Sequence, residues 1–163
     1  MTQHVLAVNT GSSTTKLGVF DVEGSDAQPV LRARLSHGAV DLQVLAWSAQ
    51  GVALPAPSPV RRGQEGEAVL DLLTWFEGQL ETPVQAVGHR VVHGGPQFRQ
   101  PVIFTAEIGK ALQALAPLAP LHQLPALSLI HAIAAARPNL PQALAFDTAF
   151  HHGHDPVVDR LGL

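Results

Sequence analysis

The 163-residue chain has no cysteine and no tyrosine, one methionine and two tryptophans. Without thiols, disulfide staples, thiolate metal sites and cysteine nucleophiles are excluded. Aromatic residues make up 5% of the chain, nearly all of them Phe, so any core must be built mainly from aliphatic side chains. Charge is also scarce, at 14% of residues with a formal net charge of -3. That balance gives no reason to expect a nucleic-acid partner, although a local basic cleft can still hold phosphate. No apolar run is long enough to cross a bilayer. The longest, Leu124 to Ala136, is interrupted by Pro125, Ser128 and His131 and falls short of the roughly 20 residues a spanning helix needs. The opening MTQHVLAVN lacks a basic stretch ahead of an apolar one, so no secretory leader, no membrane partner and a cytoplasmic location are expected.

What is present fits one domain or one lobe of a larger protein, with a core of its own. Val5 to Val8 and Leu17 to Phe20 read as strands flanking a polar knot. Val30 to Leu35 alternates Leu31, Ala33 and Leu35 with Arg32 and Arg34, which predicts a half-exposed strand in the same antiparallel sheet. Residues 48–66 hold Pro55, Pro57 and Pro59; the missing donors and fixed φ of proline predict a surface loop or excursion without regular structure. Glu67 to Leu80 carries Val69, Leu72, Leu73, Phe76 and Leu80 at helical spacing. A strand is expected over Val84 to Val87, a helix capped by Thr105 and ended by Pro117, a second helix over Leu124 to Ala136, and a strand over Ala143 to Phe146. Strands followed by alternating helices and strands predict an α/β fold with a mixed sheet.

Three stretches carry candidate chemistry. In VNTGSSTTK, Gly11 frees the backbone, Ser12, Ser13, Thr14 and Thr15 supply hydroxyls, Lys16 supplies a cation, and Asn9 can donate to an oxygen or orient metal-bound water. The set suits a polyphosphate but is not a Walker loop. Periodicity leaves an ordinary polar β-turn equally open. In GHRVVHGG, alternation puts Arg90 and Val92 on one face, a pair that suits a small carboxylate with a short apolar tail; a structural arginine at a strand end is the other reading. Asp147 ends the last strand, where α/β proteins place carboxylates that do chemistry, and it is equally suited to capping a helix. Thr148 and His151 could support it, and His122 could donate to a phosphoryl oxygen. His151, His152, His154 and Asp155 match no strong zinc spacing and read as a polar tail.

Together VNTGSSTTK, VGHRVVHGG, APLH and FDTAFH resemble, in order and spacing, the N-terminal half of the acetate kinase family (acetate, propionate and butyrate kinases). The resemblance implies an actin-, hexokinase- and Hsp70-like (ribonuclease H-like) α/β lobe. It implies transfer of a phosphoryl group between ATP and a short-chain carboxylate, giving an acyl phosphate and ADP, with magnesium as cofactor. Carried over, Asn9, Ser12, Thr14 and Lys16 face the phosphates and metal, with Asn9 on magnesium through water and Asp147 indirectly. Arg90 takes the substrate carboxylate, Val92 and Leu121 form the acyl pocket, His122 binds phosphate, and Asp147 is catalytic. Members of the family are more than twice this length, and their second lobe supplies the adenosine pocket. A complementing C-terminal lobe or a homodimer is therefore the implied partner, and the chain alone is expected to be incomplete for activity. A non-catalytic phosphate-binding or interaction module is the alternative. The chain also departs from the family after His122, where Gln123, Leu124, Pro125 and Ala126 stand in place of an Asn-Pro segment; the change is expected to remove short amides from the site margin. It departs again after His151.

Overall fold

The computed structural model describes residues 3–38, 41–57 and 63–150. In β1 (Gln3–Thr10), His4, Leu6, Val8 and Thr10 are buried, while Gln3 and Ala7 are exposed, the two-residue period of a strand covered on one face. β2 (Thr14–Glu23) returns antiparallel beside it, with Thr10 opposite Thr15 and Gln3 opposite Val22. β3 (Asp26–His37), β4 (Leu42–Ser48) and β5 (Ala53–Leu54) continue the antiparallel meander. On the other side of β1 the pairing becomes parallel. β6 (Val84–Val91) lies beside β1 and β8 (Gln142–Phe146) beside β6, and β7 (Val102–Ile103) forms the edge, antiparallel to β8. Parallel neighbours need crossovers. These are α1 (Glu65–Glu77), then α2 (Ala106–Ala114) and α3 (Pro120–Ala136). α4 (Asp147–Phe150) begins where β8 stops. The result is the mixed α/β sheet that the order of elements predicts, in the order β5-β4-β3-β2-β1-β6-β8-β7.

The differences from expectation have local causes. β3 extends beyond Val30–Leu35 and passes through Pro29. Its pairing with β2 slips between Val19 and Phe20, so the proline without a donor falls at a bulge, where a sheet tolerates it. β4 and β7 go beyond what the alternation predicts. β5 lies within the Pro-rich stretch, ending just before Pro55. α3 starts four residues ahead of Leu124, because Pro120 occupies its first turn and Pro125 is accommodated inside it. A proline at the first helical position has a favourable φ and no donor to lose. Thr105 caps α2 as expected, accepting from the Ile108 N–H at 3.3 Å.

All three longer helices lie on the same face. Leu6, Val8, Leu17, Val19, Leu31 and Leu35 pack with Val69, Leu72 and Phe76 of α1 and with Leu129 and Ile133 of α3. Val91, Leu144 and Phe146 pack with Leu112 of α2 and with Leu127 and Ile130 of α3. The strand registers put these strand residues on one side of the sheet. Among the described residues nothing helical covers the other side, and no helix is long and apolar enough to cross a membrane.

His89 belongs to the covered side. Its Nε2 lies 2.7 Å from Gln142 Oε1, and Gln142 Nε2 donates to the Ile130 carbonyl at 3.2 Å. Burial pushes the imidazole down to about 4 from 6.5, and the bond to Gln142 opposes this only in part. Between those values the unfolded chain binds a proton that the folded chain refuses. Stability therefore falls as pH falls through that window, by about 3 kcal/mol between pH 7 and 4 for this group alone. Urea unfolding at the two pH values is expected to show this loss in the parent and to show it reduced in His89→Gln, which cannot titrate.

Candidate functional site

Across the three central strands, Lys16 stands opposite Asn9, Asn9 opposite Arg90, and Arg90 opposite Ala145 of β8. Directly opposed residues share a face, so Lys16, Asn9 and Arg90 rise in one row from the uncovered side. Arg34 of β3 extends the row beyond Lys16. The next row is Gly18, Ala7, Gly88 and Ala143, a floor almost without side chains. The two rows, with Phe20 and Pro101, line a groove of about 450 Å³. It is apolar along its floor and cationic at one end.

At the cationic end Arg90 is held on three sides. Its Nε donates to Asp147 Oδ1 at 2.8 Å, Nη2 donates to Oδ2 at 2.6 Å, and Nη1 donates to Asn9 Oδ1 at 3.0 Å. The hydrogen bond to Asp147 raises the guanidinium above its ordinary value, against the effect of burial and with the added attraction of the Asp147 charge. A guanidinium has five N–H groups. Three are engaged, leaving one on each terminal nitrogen for an incoming anion. Asp147 reaches Arg90 because α4 begins where β8 ends, beside β6.

The hairpin joining β1 and β2 carries the hydroxyls. The Gly11 N–H donates to the Thr14 carbonyl at 2.8 Å, so one N–H of the expected anion nest is committed to the turn itself. Ser12 is exposed and Thr14 half-buried. Ser12 also borders a second cavity of about 320 Å³ with Thr10, Thr15, Leu124 and Ser128, which connects the hairpin to α3.

Beyond Arg90, β6 ends at Val91. Val92 therefore does not share a strand face with Arg90, as alternation predicts it should. Leu121 and His122 sit in the first turn of α3, Leu121 72% exposed and His122 half-buried. Among the described residues no hydrogen bond joins His122 to the Arg90–Asp147 pair. Gln123, the first residue of the departure after His122, faces the interior. It is fully buried. Its Oε1 accepts from the His93 N–H at 3.3 Å, and its Nε2 donates to the His93 carbonyl at 2.9 Å. The signal was available in the sequence: position 123 falls on the stripe with Ala126, Leu127, Ile130 and Ile133 that α3 buries. Thr148, read as a supporting residue, accepts from the Gly94 N–H at 3.0 Å. His151, His152, His154 and Asp155 lie outside the described residues.

The oxygens of Asn9 and Asp147 face Arg90, and among the described residues no three acidic or histidine side chains converge on a point. This donor set does not fit a resident magnesium held directly by the chain.

A profile of the acetokinase family matches residues 4–157. The acetate kinase of Nitrobacter hamburgensis is 36% identical over 173 aligned residues, covering 98% of this chain and 40% of the relative. The acetate kinase of Rhizobium meliloti is also 36% identical, covering 98% and 41%. Among solved structures, a propionate kinase from Francisella tularensis superposes with a TM-score of 0.77 at 26% identity, over 95% of this chain and 39% of that one. Porphyromonas gingivalis acetate kinase gives 0.76 at 24% identity, over 99% and 44%, and supports the fold alone. The chain thus spans about 40% of the length of the curated relatives it matches.

Gly94 is where the loop after Arg90 tolerates least. A Cβ there would stand 2.7 Å from the Phe98 carbonyl oxygen and 2.8 Å from Phe146 Cγ, whereas at Gly88 it would meet nothing within 4 Å. Gly94→Ala is expected to cost about 1–3 kcal/mol through overpacking, read by urea unfolding, and Gly88→Ala is expected to change stability by no more than about 0.5 kcal/mol.

Proposed function

Because this chain belongs to the acetokinase family, we propose that it supplies the carboxylate- and phosphate-binding half of a site for phosphoryl transfer between ATP and a short-chain carboxylate. The observation that carries this reading is Arg90, held by Asp147 and Asn9 in one row with Lys16, at the ends of the parallel strands where α/β folds bind ligands. The two unused N–H groups of Arg90 take the carboxylate. Lys16 and the hydroxyls of Ser12 and Thr14 take the phosphate chain, and His122 at the start of α3 donates to the transferred group. Asn9 orients water on the magnesium that arrives with ATP, and Val92 and Leu121 border the acyl group.

In the forward direction a carboxylate oxygen attacks the γ-phosphorus. The new P–O bond forms as the bond to the β-phosphate oxygen breaks, and ADP leaves with that electron pair. The nucleophile is already an anion, so no base is required. The barrier is the repulsion between two anions, and fixed cations such as Arg90 and Lys16 lower it by neutralising charge that is already in place. Asp147 keeps the guanidinium planar to the incoming carboxylate and fixes its direction.

The adenosine half of such a site belongs to the part of the relatives that this chain does not span. A complementing C-terminal lobe or a second copy of the chain is the partner proposed for it. The near-absence of side chains at Gly18, Ala7, Gly88 and Ala143 leaves room over this part of the sheet.

Titration calorimetry with acetyl phosphate and with MgATP tests the reading on the chain and on Arg90→Ala. Heat with acetyl phosphate in the parent, weakened at least about tenfold in the variant, is expected from the loss of a charge-assisted fork. Equal affinity in both proteins would overturn the assignment of Arg90. Acyl phosphate formation by the chain alone would overturn the proposal that its site is only half complete.

A further inference from the structure

Three successive N–H groups follow the end of β6, and each is taken by a side chain. The His93 N–H donates to Gln123 Oε1, the Gly94 N–H to Thr148 Oγ1, and the Gly95 N–H to His93 Nδ1 at 2.9 Å. No strand ladder fixes these three residues. Gly95 adds a positive φ of 62°, which releases the segment from strand geometry. The path of the loop is therefore set by what α3 and α4 present to it.

We infer that Gln123 is a positioning residue for Arg90, acting through this loop. Its amide grips the His93 peptide at both ends, by its N–H and by its carbonyl, and its Nε2 also lies 3.5 Å from the Leu112 carbonyl of α2. That grip fixes where the Gly94 N–H points. Gly94 holds the Thr148 hydroxyl at the first turn of α4, and the residue before Thr148 is Asp147, whose two oxygens orient the Arg90 guanidinium. The chain of contacts runs from α3 to α4 to the centre of the row on β6. For its consequence in phosphoryl transfer the inference rests on the proposed function; as a statement about Arg90 it stands by itself.

Glutamine suits a buried helix position here because both ends of its amide find partners; an unpaired one would be costly.

The test follows the Arg90 Nε–H in ¹H–¹⁵N spectra of the full chain, a signal that reports the bond to Asp147. Gln123→Met keeps the length and removes the amide. It is expected to shift this signal towards that of a free guanidinium and to speed exchange of the His93 and Gly94 amides. Thr148→Val, which breaks the same path further along, is expected to shift it too, and the effects of the two changes are expected not to add in the double variant, as for residues in one network. Leu127→Ala lies in the same buried stripe of α3 and weakens the core by leaving a cavity, and is expected to leave the Arg90 signal in place. If Gln123→Met fails to fold, Gln123→Asn, which draws the amide back by one methylene, takes its place against Leu127→Ala with the same expected shift. A shift no larger than that of Leu127→Ala, or simple additivity, would overturn the inference. The readout is the guanidinium itself and needs no ligand, so a chain that binds no acyl phosphate still gives a decisive result.

Discussion

Register across β2, β1, β6 and β8 is the constraint on which the rest of the structure depends. One face of every central strand is committed to the helices, and a slip of one residue would exchange the faces. Leu6 and Val8 therefore fix where Asn9 goes, His89 and Val91 fix Arg90, and Leu17 fixes Lys16. The polar row is the complement of the hydrophobic pattern. Burial on the opposite side of the sheet sets the face from which each side chain leaves, and the contacts of Arg90 with Asp147 and Asn9 then set the direction of its guanidinium.

Where that ladder ends, a different kind of control takes over. From His93 to Gly95 the backbone is satisfied by Gln123, Thr148 and His93 itself. Buried donors must be paired somewhere, and pairing them with side chains from two helices ties those helices to the loop. The stacked rings of Phe98 and Phe146, 5.4 Å apart between centroids, close the space beneath Gly94. The loop that leaves Arg90 is thus tied at three successive residues despite its glycines.

The sequence is most informative where a residue's chemistry and its position agree. Val5 to Val8 and Leu17 to Phe20 are legible as strands because their apolar runs are short and bounded, and the hydroxyl-rich hairpin between them is legible from its composition. The Thr105 cap and the stripe of α1 are equally plain. β3 across Pro29 is not legible, since local rules assign proline to breaks while tertiary pairing absorbs it at a bulge; the helix expected from Leu124 already spans Pro125 and lacks only the turn that begins at Pro120. The direct contact of Asn9, Arg90 and Asp147 spans positions 9, 90 and 147 and follows only from the strand order β1-β6-β8, which no local pattern contains. The buried position of Gln123 is legible only from its place in the stripe with Ala126, Leu127, Ile130 and Ile133.

The Arg90–Asp147 pair and the His89–Gln142 pair show how differently the two faces are used. Arg90 and Asp147 have side-chain exposures of 53% and 37%, and an ion pair so open to water contributes at most about 1 kcal/mol to folding. His89 and Gln142 are 3% exposed each, and there the loss of either partner strands a buried polar group. The neighbouring residues 89 and 90 of one strand therefore carry opposite burdens. His89 holds the sheet to α3 through Gln142 and gives nothing to a ligand. Arg90 gives almost nothing to stability, yet three of its five donors are fixed in direction. A side chain with that much orientation and so little effect on folding has been arranged for something that approaches from outside, and an anion is what its remaining donors can receive.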